Sequence, residues 1–463
     1  MRVTRLSLAA LAASLSLTLA ATAQVSRNAT LLGRLDPSSS YSDCWGYVAP
    51  DGREYALLCA TPGVYVIDCS DPANPVNRGF FSTPSSSARD IRTYRNYMYA
   101  TSEGSGGVQI IDLADPDNPR LVGTRLQSAW RNCHNVSIDT ATGTLYACGT
   151  DRGMVIADLS ADPENPTRLT SYSSNYVHDA QVLDGIAYVS EIFSGRLRLL
   201  DVTSLPSFTS MSTQSISVSH NAWPTRDNEY VVTTSETSGG FLNIVDVSDK
   251  RLPRNIASWR TRASATIHNA FVLDRVAHMS YYGDGYQAVD ISDAPNPNRV
   301  AFYDTASAWG CYPFQPSGTI YISDIRNGLY VIDSKAAMRR YGDGVGSGGR
   351  PAPTIHGYGA AYAGNNNFAL ELDGAAPGTQ AVLLVGVASA SVTFRGLPIL
   401  VDPTQPTLIA LATADGAGNA RVALPIPATT PDATLYAQWF AVDAGGPFGF
   451  TATEGIEFET FQP

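Results

Sequence analysis

A short apolar phrase that ends in aspartate recurs along most of the chain. Its seven copies end at Asp68, Asp112, Asp158, Asp201, Asp246, Asp290 and Asp333, which are 43 to 46 residues apart. Two short runs of β-branched and aromatic residues precede each phrase, so each unit is predicted to form about four short strands. One such unit cannot bury both of its faces alone, and units of this size stack radially around an axis. The repeat therefore predicts an all-β fold with a seven-bladed β-propeller.

The last repeat unit lacks an outer strand of its own. The segment Leu31–Leu35 resembles Leu121–Arg125, and each precedes the next inner strand by the same interval. We predict that the N-terminal segment supplies the missing strand, which closes the ring and removes an open edge. The propeller is predicted over residues 24–342.

The first residues have the pattern of an export signal. Arg2 and Arg5 precede an apolar run, Leu6–Ala20, that is followed by Ala21-Thr22-Ala23. This arrangement predicts a signal peptide over residues 1–23 that is removed on export. No second apolar run of about 20 residues follows, so no transmembrane segment is predicted in the mature chain. We expect a bacterial protein that is secreted or held at the cell surface, and a monomer.

The charge of the chain excludes two classes of partner. Its formal net charge is −11, and only two of its 31 basic residues are lysines. A nucleic-acid binder needs a basic face and a polybasic membrane patch needs clustered cations, so neither is predicted. The partner is expected to be an extracellular ligand or a surface component.

The last quarter of the chain differs from the repeats. Residues 343–353 are rich in glycine and proline and are predicted to be a linker. Residues 354–463 contain short apolar runs separated by turns such as Asp415-Gly416. This spacing predicts an accessory β-sandwich domain.

A second set of equivalent positions, which we call the second register, recurs at the start of each inner strand. Four of the six histidines occupy it in consecutive units, and each is followed by Asn or Asp. The turn Asp184-Gly185 also places Glu191 across from His178, and Glu103 and Glu236 hold comparable positions in other units. The register contains Cys44-Trp45-Gly46, Arg89-Asp90, His134-Asn135, His178-Asp179, His220-Asn221, His268-Asn269 and Trp309-Gly310-Cys311-Tyr312. These side chains are expected at one mouth of the central channel.

Two interpretations of this register stay open. Neutral imidazoles and carboxylates suit a divalent transition metal such as Zn, Cu or Fe. Alternatively, the histidines bond the backbone of the next blade, and the Asn and Asp side chains cap the connections. The metal candidates are His134, His178, His220, His268, Glu191 and Glu236. The candidate ligand-binding residues are Trp45, Arg89, Asp90, Asn135, Asp179, Asn221, Asn269 and Tyr312.

The six cysteines are predicted to form three disulfides, because an exported chain matures in an oxidising setting. Cys133 and Cys148 flank one hairpin, while Cys44 and Cys311 begin the first and last inner strands. Cys59 and Cys69, which lie in the first unit, are the third pair in this arrangement, and the sequence leaves the connectivity open among 15 formal pairings.

The chain resembles a known family over residues 28–335. Its aspartate phrases look like the LVIVD repeat, and the wider set resembles the bacterial choice-of-anchor B family of secreted propeller proteins. The residues that carry this resemblance are Cys44-Trp-Gly-Tyr47, Asp51-Gly-Arg-Glu-Tyr-Ala56, Arg89-Asp90, His134-Asn135, Tyr176-Val-His-Asp179, His220-Asn221, His268-Asn269, Tyr312-Pro-Phe314 and Asn327-Gly-Leu329. The resemblance implies an exported or surface-displayed propeller whose activity is undefined. Members carry varied C-terminal anchors, whereas this chain ends Phe461-Gln-Pro463 without an apolar tail.

Two functional hypotheses follow from the sequence. The first is an extracellular binding or scaffold propeller whose recognition surface is the mouth that carries the histidines. The alternative is a metal-dependent enzyme that uses His134, His178, His220 and His268 at that mouth, with a metal ion as Lewis acid or redox centre. No nucleophile elbow, H-E-x-x-H motif or phosphate-binding loop is present in the sequence to support other chemistry.

Overall fold

The computed structural model describes residues 25–463, which form β-strands joined by turns. The predicted signal peptide, residues 1–23, lies outside the described residues. The first two strands are β1 (Ser26–Arg27) and β2 (Ala29–Leu35). Five four-stranded antiparallel sheets then follow in chain order. Their strands are β3 (Tyr41–Val48), β4 (Glu54–Ala60), β5 (Gly63–Asp68), β6 (Val76–Ser82), β7 (Arg89–Tyr94), β8 (Tyr97–Ser102), β9 (Val108–Asp112), β10 (Arg120–Arg125), β11 (Asn135–Asp139), β12 (Thr144–Thr150), β13 (Gly153–Asp158), β14 (Thr167–Tyr172), β15 (Asp179–Leu183), β16 (Ile186–Glu191), β17 (Arg196–Asp201), β18 (Thr209–Ser215), β19 (Ser219–Pro224), β20 (Tyr230–Ser235), β21 (Leu242–Asp246) and β22 (Arg254–Trp259).

Two further repeat sheets contain the strands from the N-terminus. One joins β1 to β23 (Thr266–Leu273), β24 (Val276–Tyr282), β25 (Gly285–Asp290) and β26 (Asn298–Tyr303). The other joins β2 to β27 (Ala308–Tyr312), β28 (Ile320–Asp324) and β29 (Gly328–Ser334). In this sheet Ala29 pairs with Ser334, and Leu35 pairs with Leu329. Strands from opposite ends of the repeat region therefore share one sheet.

The innermost strands surround a central channel. Each of the strands β3, β7, β11, β15, β19, β23 and β27 contacts the next, and β27 contacts β3. The all-β class is thus confirmed, and the four-stranded antiparallel sheets are consistent with a β-propeller.

The recurring aspartate phrase is the third strand of each repeat sheet. In the first sheet this is β5, which is buried along its whole length, whereas the outer strand β6 is largely exposed. Strands that are covered on both faces contain nearly continuous apolar runs, which explains the Val-Tyr-Val-Ile pattern. The terminal Asp68 accepts a hydrogen bond from the backbone N–H of Ser70 at 2.9 Å, so the aspartate begins the turn that follows.

The C-terminal region forms a separate set of sheets around a core of its own. Ile355 and Leu370 of one sheet share this core with Leu383 and Trp439 of another. A six-stranded sheet, a three-stranded sheet and a hairpin contain β30 (Arg339–Tyr341), β31 (Thr354–Tyr358), β32 (Ala369–Asp373), β33 (Gln380–Gly386), β34 (Ser389–Phe394), β35 (Leu397–Val401), β36 (Thr407–Thr413), β37 (Ala420–Ala423), β38 (Ala433–Val442), β39 (Phe450–Ala452) and β40 (Gly455–Thr460). Short 3₁₀ turns are found at Ile192–Ser194 and Pro447–Gly449. None of the helical segments described in residues 25–463 is long and apolar enough to span a membrane.

The predicted linker is in contact with the C-terminal sheets. β30, which precedes it, already pairs with β40, and Val345 forms a bridge with Ala452. The repeat and C-terminal regions also contact each other directly. Asp290 accepts a hydrogen bond from the backbone N–H of Ala360, and Lys335 forms an ion pair with Asp432 at 2.8 Å.

The disulfide prediction is wrong, because all six cysteines are buried free thiols. Each predicted pair is divided by a sheet. Cys59 packs in the core between the first and second sheets, whereas Cys69 packs against Tyr321 on the other face. The pairs Cys133 and Cys148, and Cys44 and Cys311, are likewise distributed over different cores. Neighbouring positions on opposite faces point their Sγ atoms apart, which prevents a disulfide.

Candidate functional site

The channel contains three successive layers of side chains, which come from equivalent positions of the inner strands. The first layer is at one end and contains the histidines. The next residue of each strand forms the second layer, and the residue two positions further forms the third. The first layer consists of Ser42, Arg89, His134, His178, His220, His268 and Trp309, and the second of Asp43, Asp90, Asn135, Asp179, Asn221, Asn269 and Gly310.

The rings of the four histidines in the first layer lie side by side in a row, with neighbouring planes tilted by 42° to 56°. The ring centroids of His134 and His178 are 4.3 Å apart, those of His178 and His220 are 4.1 Å apart, and those of His220 and His268 are 4.5 Å apart. Trp309 continues the row at 4.7 Å from His268. The rings leave a cavity of only about 10 Å³, which is the space of a single water molecule or ion.

The hydrogen bonds of the imidazoles define their tautomers. Nδ1 of His178 lies 3.0 Å from the carbonyl oxygen of His220, and Nδ1 of His268 lies 2.7 Å from that of Trp309. A carbonyl oxygen only accepts, so both Nδ1 atoms carry the proton and both Nε2 atoms keep a lone pair. Burial is the main cause that lowers the pKa of His268 to about 3 and holds the pKa values of His178 and His220 well below normal.

Two of the three predicted carboxylates lie beside histidines. Oε1 of Glu103 is 2.7 Å from Nδ1 of His134, and Oε2 of Glu236 is 3.4 Å from Nε2 of His220. Both glutamates directly follow the end of a second strand.

Glu191 has other partners. It is still part of β16 and accepts hydrogen bonds from Nε of Arg198 and from the hydroxyl of Tyr172, both at 2.6 Å. The strand therefore directs the Glu191 carboxylate to the face between sheets rather than to the histidine cavity, which differs from its predicted role.

The second layer links neighbouring sheets. Oδ2 of Asp90 accepts a hydrogen bond from the backbone N–H of Val136 at 2.8 Å, and Oδ1 of Asn221 accepts one from Ala270 at 3.0 Å. Asn221 also donates to Asp179 at 2.7 Å. These bonds favour the structural interpretation for Asp90, Asp179 and Asn221, whereas Oδ1 of Asn269 is buried without a partner among the described residues.

Asp43 is a member of the second layer that the sequence register did not identify. It faces Asp90 and lies 3.7 Å from the guanidinium of Arg92, which binds Asp90 at 2.6 Å. Burial and the nearby Asp90 raise the pKa of Asp43 well above normal, and burial raises that of Asp179 to about 6. Equal spacing could have revealed Asp43, because Ser42 precedes Trp45 by the same three residues that separate His220 from Trp223.

Trp45 and Tyr312 are in the third layer and therefore not beside the histidines. Trp45 packs 4.7 Å from Tyr312, and Trp223 packs 4.9 Å from Phe271, as measured between ring centroids. A cavity of about 310 Å³ opens at this end of the channel. Its lining consists of Trp45, Arg92, Thr93, Ile138, Thr140, Gln181, Trp223, Tyr312 and Phe314.

Arg89 is engaged by backbone groups. Its guanidinium donates to the carbonyl oxygens of Ala60 at 2.9 Å, of Thr61 at 3.0 Å, and of Pro84. This predicted ligand-binding residue thus joins the first two sheets.

The aromatic end of the channel borders the C-terminal region. A second cavity of about 240 Å³ shares Gln181, Trp223 and Phe314 with the first. Its other wall includes His356 and Glu371 of the C-terminal region.

Comparison with known proteins bears on the repeats. Residues 85–126 match the family model described as the LVIVD repeat. The match supports the interpretation of this segment as an LVIVD repeat. A solved structure titled "Structure of U3-55K" superposes with a TM-score of 0.50 at 9% sequence identity, covering 66% of this chain and 98% of that one. At this identity the superposition shows a shared fold and nothing further. No match was found among curated proteins.

Proposed function

We propose that this LVIVD-repeat protein is an extracellular binding module whose ligand site is the aromatic end of the channel. We also propose that residues 24–342 form a seven-bladed propeller, residues 343–353 a linker and residues 354–463 an accessory β-sandwich. An export signal over residues 1–23 and the narrower choice-of-anchor B assignment belong to the same proposal.

The contrast between the two channel ends carries the proposal. The histidine end has space for about one water, whereas the aromatic end has a cavity of about 310 Å³. Ligand sites are concave, largely apolar and furnished with a few polar groups, and this cavity combines aromatic faces with Thr93, Thr140 and Gln181.

The lining favours a neutral ligand with flat apolar faces and hydroxyl groups, as in a saccharide. Arg92 is the one cation in this lining, and its charge is already paired with Asp90 at 2.6 Å. The rings of Trp223 and Phe314 are stacked with centroids 5.4 Å apart and form a broad apolar wall. Gln181 accepts a hydrogen bond from Ser137 at 3.1 Å, so its amide is held in place.

Titration with a panel of neutral oligosaccharides, followed by tryptophan fluorescence and calorimetry, tests the proposal. Trp223→Ala is expected to weaken binding by roughly tenfold or more, because a buried aromatic contact is a typical binding hot spot. Trp259→Ala is the matched control and is expected to leave binding unchanged. Trp259 is on the outer strand β22 and packs against Tyr281, away from the cavity. Equal losses in the two variants, or no binding of any neutral saccharide, would contradict the proposal.

A further inference from the structure

Three potential metal ligands converge at the histidine end of the channel. One ligand atom from each of His178, His220 and Glu236 lies within 4.8 Å of the other two. Both histidines are buried, and the carboxyl side chain is 26% exposed. Of the six metal candidates predicted from sequence, the structure brings these three together.

The hydrogen bonding of His220 indicates that its Nε2 lone pair lacks a donor. Oγ1 of Thr234 donates its single proton to the carbonyl oxygen of His268 at 2.7 Å. Nδ1 of His220, which is 3.5 Å from the same Oγ1, must therefore be the donor in that contact. Nε2 of His220 is buried and has no hydrogen-bond partner among the described residues.

A cation placed between these groups would satisfy both of them. The Nε2 lone pair faces the Glu236 carboxylate at 3.4 Å, so two electron-rich atoms are opposed. Nε2 of His178 also carries a lone pair, because its Nδ1 donates to a carbonyl oxygen at 3.0 Å. Metal-binding histidines typically donate their other N–H to such an acceptor. Glu236 is supported in the same way by the Tyr282 hydroxyl, which donates to Oε1 at 3.1 Å.

We propose that His178, His220 and Glu236 bind one divalent first-row transition-metal ion, such as Zn²⁺ or Fe²⁺. Two imidazoles and one carboxylate form a ligand set that suits these ions rather than Mg²⁺ or Ca²⁺, which prefer oxygen ligands. The ion joins the sheet that begins at β15 to the next one. This site is at the opposite end of the channel from the aromatic cavity and does not depend on the proposed ligand site.

The test uses the full mature chain after removal of metals with a chelator. Calorimetric titration with Zn²⁺ is expected to show one equivalent bound, and the bound ion is expected to raise the melting temperature by mass action. Glu236→Gln removes one ligand and is expected to weaken Zn²⁺ binding by at least about 100-fold, since the loss of even an outer-shell partner costs 10 to 100-fold.

Glu103→Gln is the matched control. Glu103 is bonded to His134 at 2.7 Å and holds the comparable position in another sheet, outside the three-residue cluster. Its substitution is expected to leave Zn²⁺ affinity within about threefold of the parent, because Glu103 is bonded to His134 and to none of the three proposed ligands. Equal effects of the two substitutions, or less than one equivalent of Zn²⁺ bound by the parent chain, would overturn the proposal.

A spectrum of the unmodified protein keeps the proposal testable if the Glu236 variant does not fold. Co²⁺ bound by imidazole and carboxylate is expected to show weak visible bands without the intense near-ultraviolet band of cobalt–thiolate bonds. A thiolate band would place the metal at a cysteine and would refute the assignment.

Discussion

Nδ1 of His278 and the hydroxyl oxygen of Tyr286 are hydrogen bonded at 2.8 Å inside the core. Tyr286 donates its own proton to Oγ of Ser334 at 3.2 Å, so His278 is the donor to Tyr286. Nε2 of His278 is buried without a partner among the described residues. Burial is the main cause that lowers the pKa of His278 to about 4, and the residue is neutral in the folded protein.

This histidine is expected to make the fold less stable in acid. Its folded pKa of about 4 is below the ordinary value of 6.5, so the unfolded chain binds its proton first as the pH falls. The contribution of neutral His278 is complete above pH 6.5 and is lost progressively toward pH 4. Between pH 7.5 and 5 the loss is about 2 kcal/mol.

Urea unfolding of the parent chain and of His278→Phe at both pH values measures this effect. Other titrating groups are common to the two proteins, so the difference between their unfolding free energies isolates His278. The stability advantage of the parent should shrink by about 2 kcal/mol at the lower pH. A pH-independent difference would contradict the assignment of a neutral buried imidazole.

Gly310→Ala is expected to destabilise the protein by about 1 to 3 kcal/mol through overpacking. A Cβ at this position would overlap Oδ1 of Asp43, and it would also lie 2.8 Å from the backbone nitrogen of Cys44. Gly416→Ala is the matched control, because a Cβ there has nothing within 4 Å. Thermal and urea unfolding of both variants provides the comparison, and equal stabilities would mean that Asp43 does not occupy this position.

Arg92→Gln is expected to cost about 3 to 5 kcal/mol, because it leaves buried carboxyl groups without their cation. The Arg92 side chain is 6% exposed and pairs with Asp90 at 2.6 Å. Arg131→Gln breaks an ion pair with Asp151 at a side chain that is 83% exposed, and is expected to change stability little. Urea unfolding at pH 7 distinguishes the two sites, and a similar small effect at Arg92 would contradict the buried network.

The six cysteines are expected to be unreactive in the native protein and fully reactive after denaturation without any reductant. All six are buried, and burial is the leading cause that raises the pKa of Cys69 to about 12, so little thiolate forms at neutral pH. Mass spectrometry after iodoacetamide treatment should record no label in buffer and six labels in guanidinium. If full labelling of the denatured chain requires reductant, disulfides are present and the free-thiol structure is wrong.

Much of the fold could be predicted from local pattern. The aspartate phrases are third strands because a strand covered on both faces must be apolar throughout, and that requirement is visible in Val64–Ile67. The similarity of Leu31–Leu35 to Leu121–Arg125 reflects the same outer-strand environment. The order of the strands within a sheet could therefore be predicted from the position of each segment in the repeat.

The site was less predictable because β-bulges alter the direction of side chains. The pairing of β3 shifts between Tyr41 and Cys44, and comparable shifts occur in β19, β23 and β27. A bulge re-aims consecutive side chains. Counting from Cys44 therefore placed Trp45 with the histidines and did not identify Asp43.

The repeat, the β class and the common position of the four histidines could be read from the amino-acid sequence, since these depend on periodicity along one chain. Which groups meet depends on how the sheets pack in three dimensions. Glu236 and Glu191 have comparable positions, yet Glu236 follows its strand and faces His220, whereas Glu191 remains in β16 and binds Arg198. Cys59 and Cys69 are close in sequence but lie on opposite faces of one sheet. In each case the contacts of a side chain depend on which face of the sheet it is on and on which sheet packs against that face. The spacing of residues along the chain does not specify either of these.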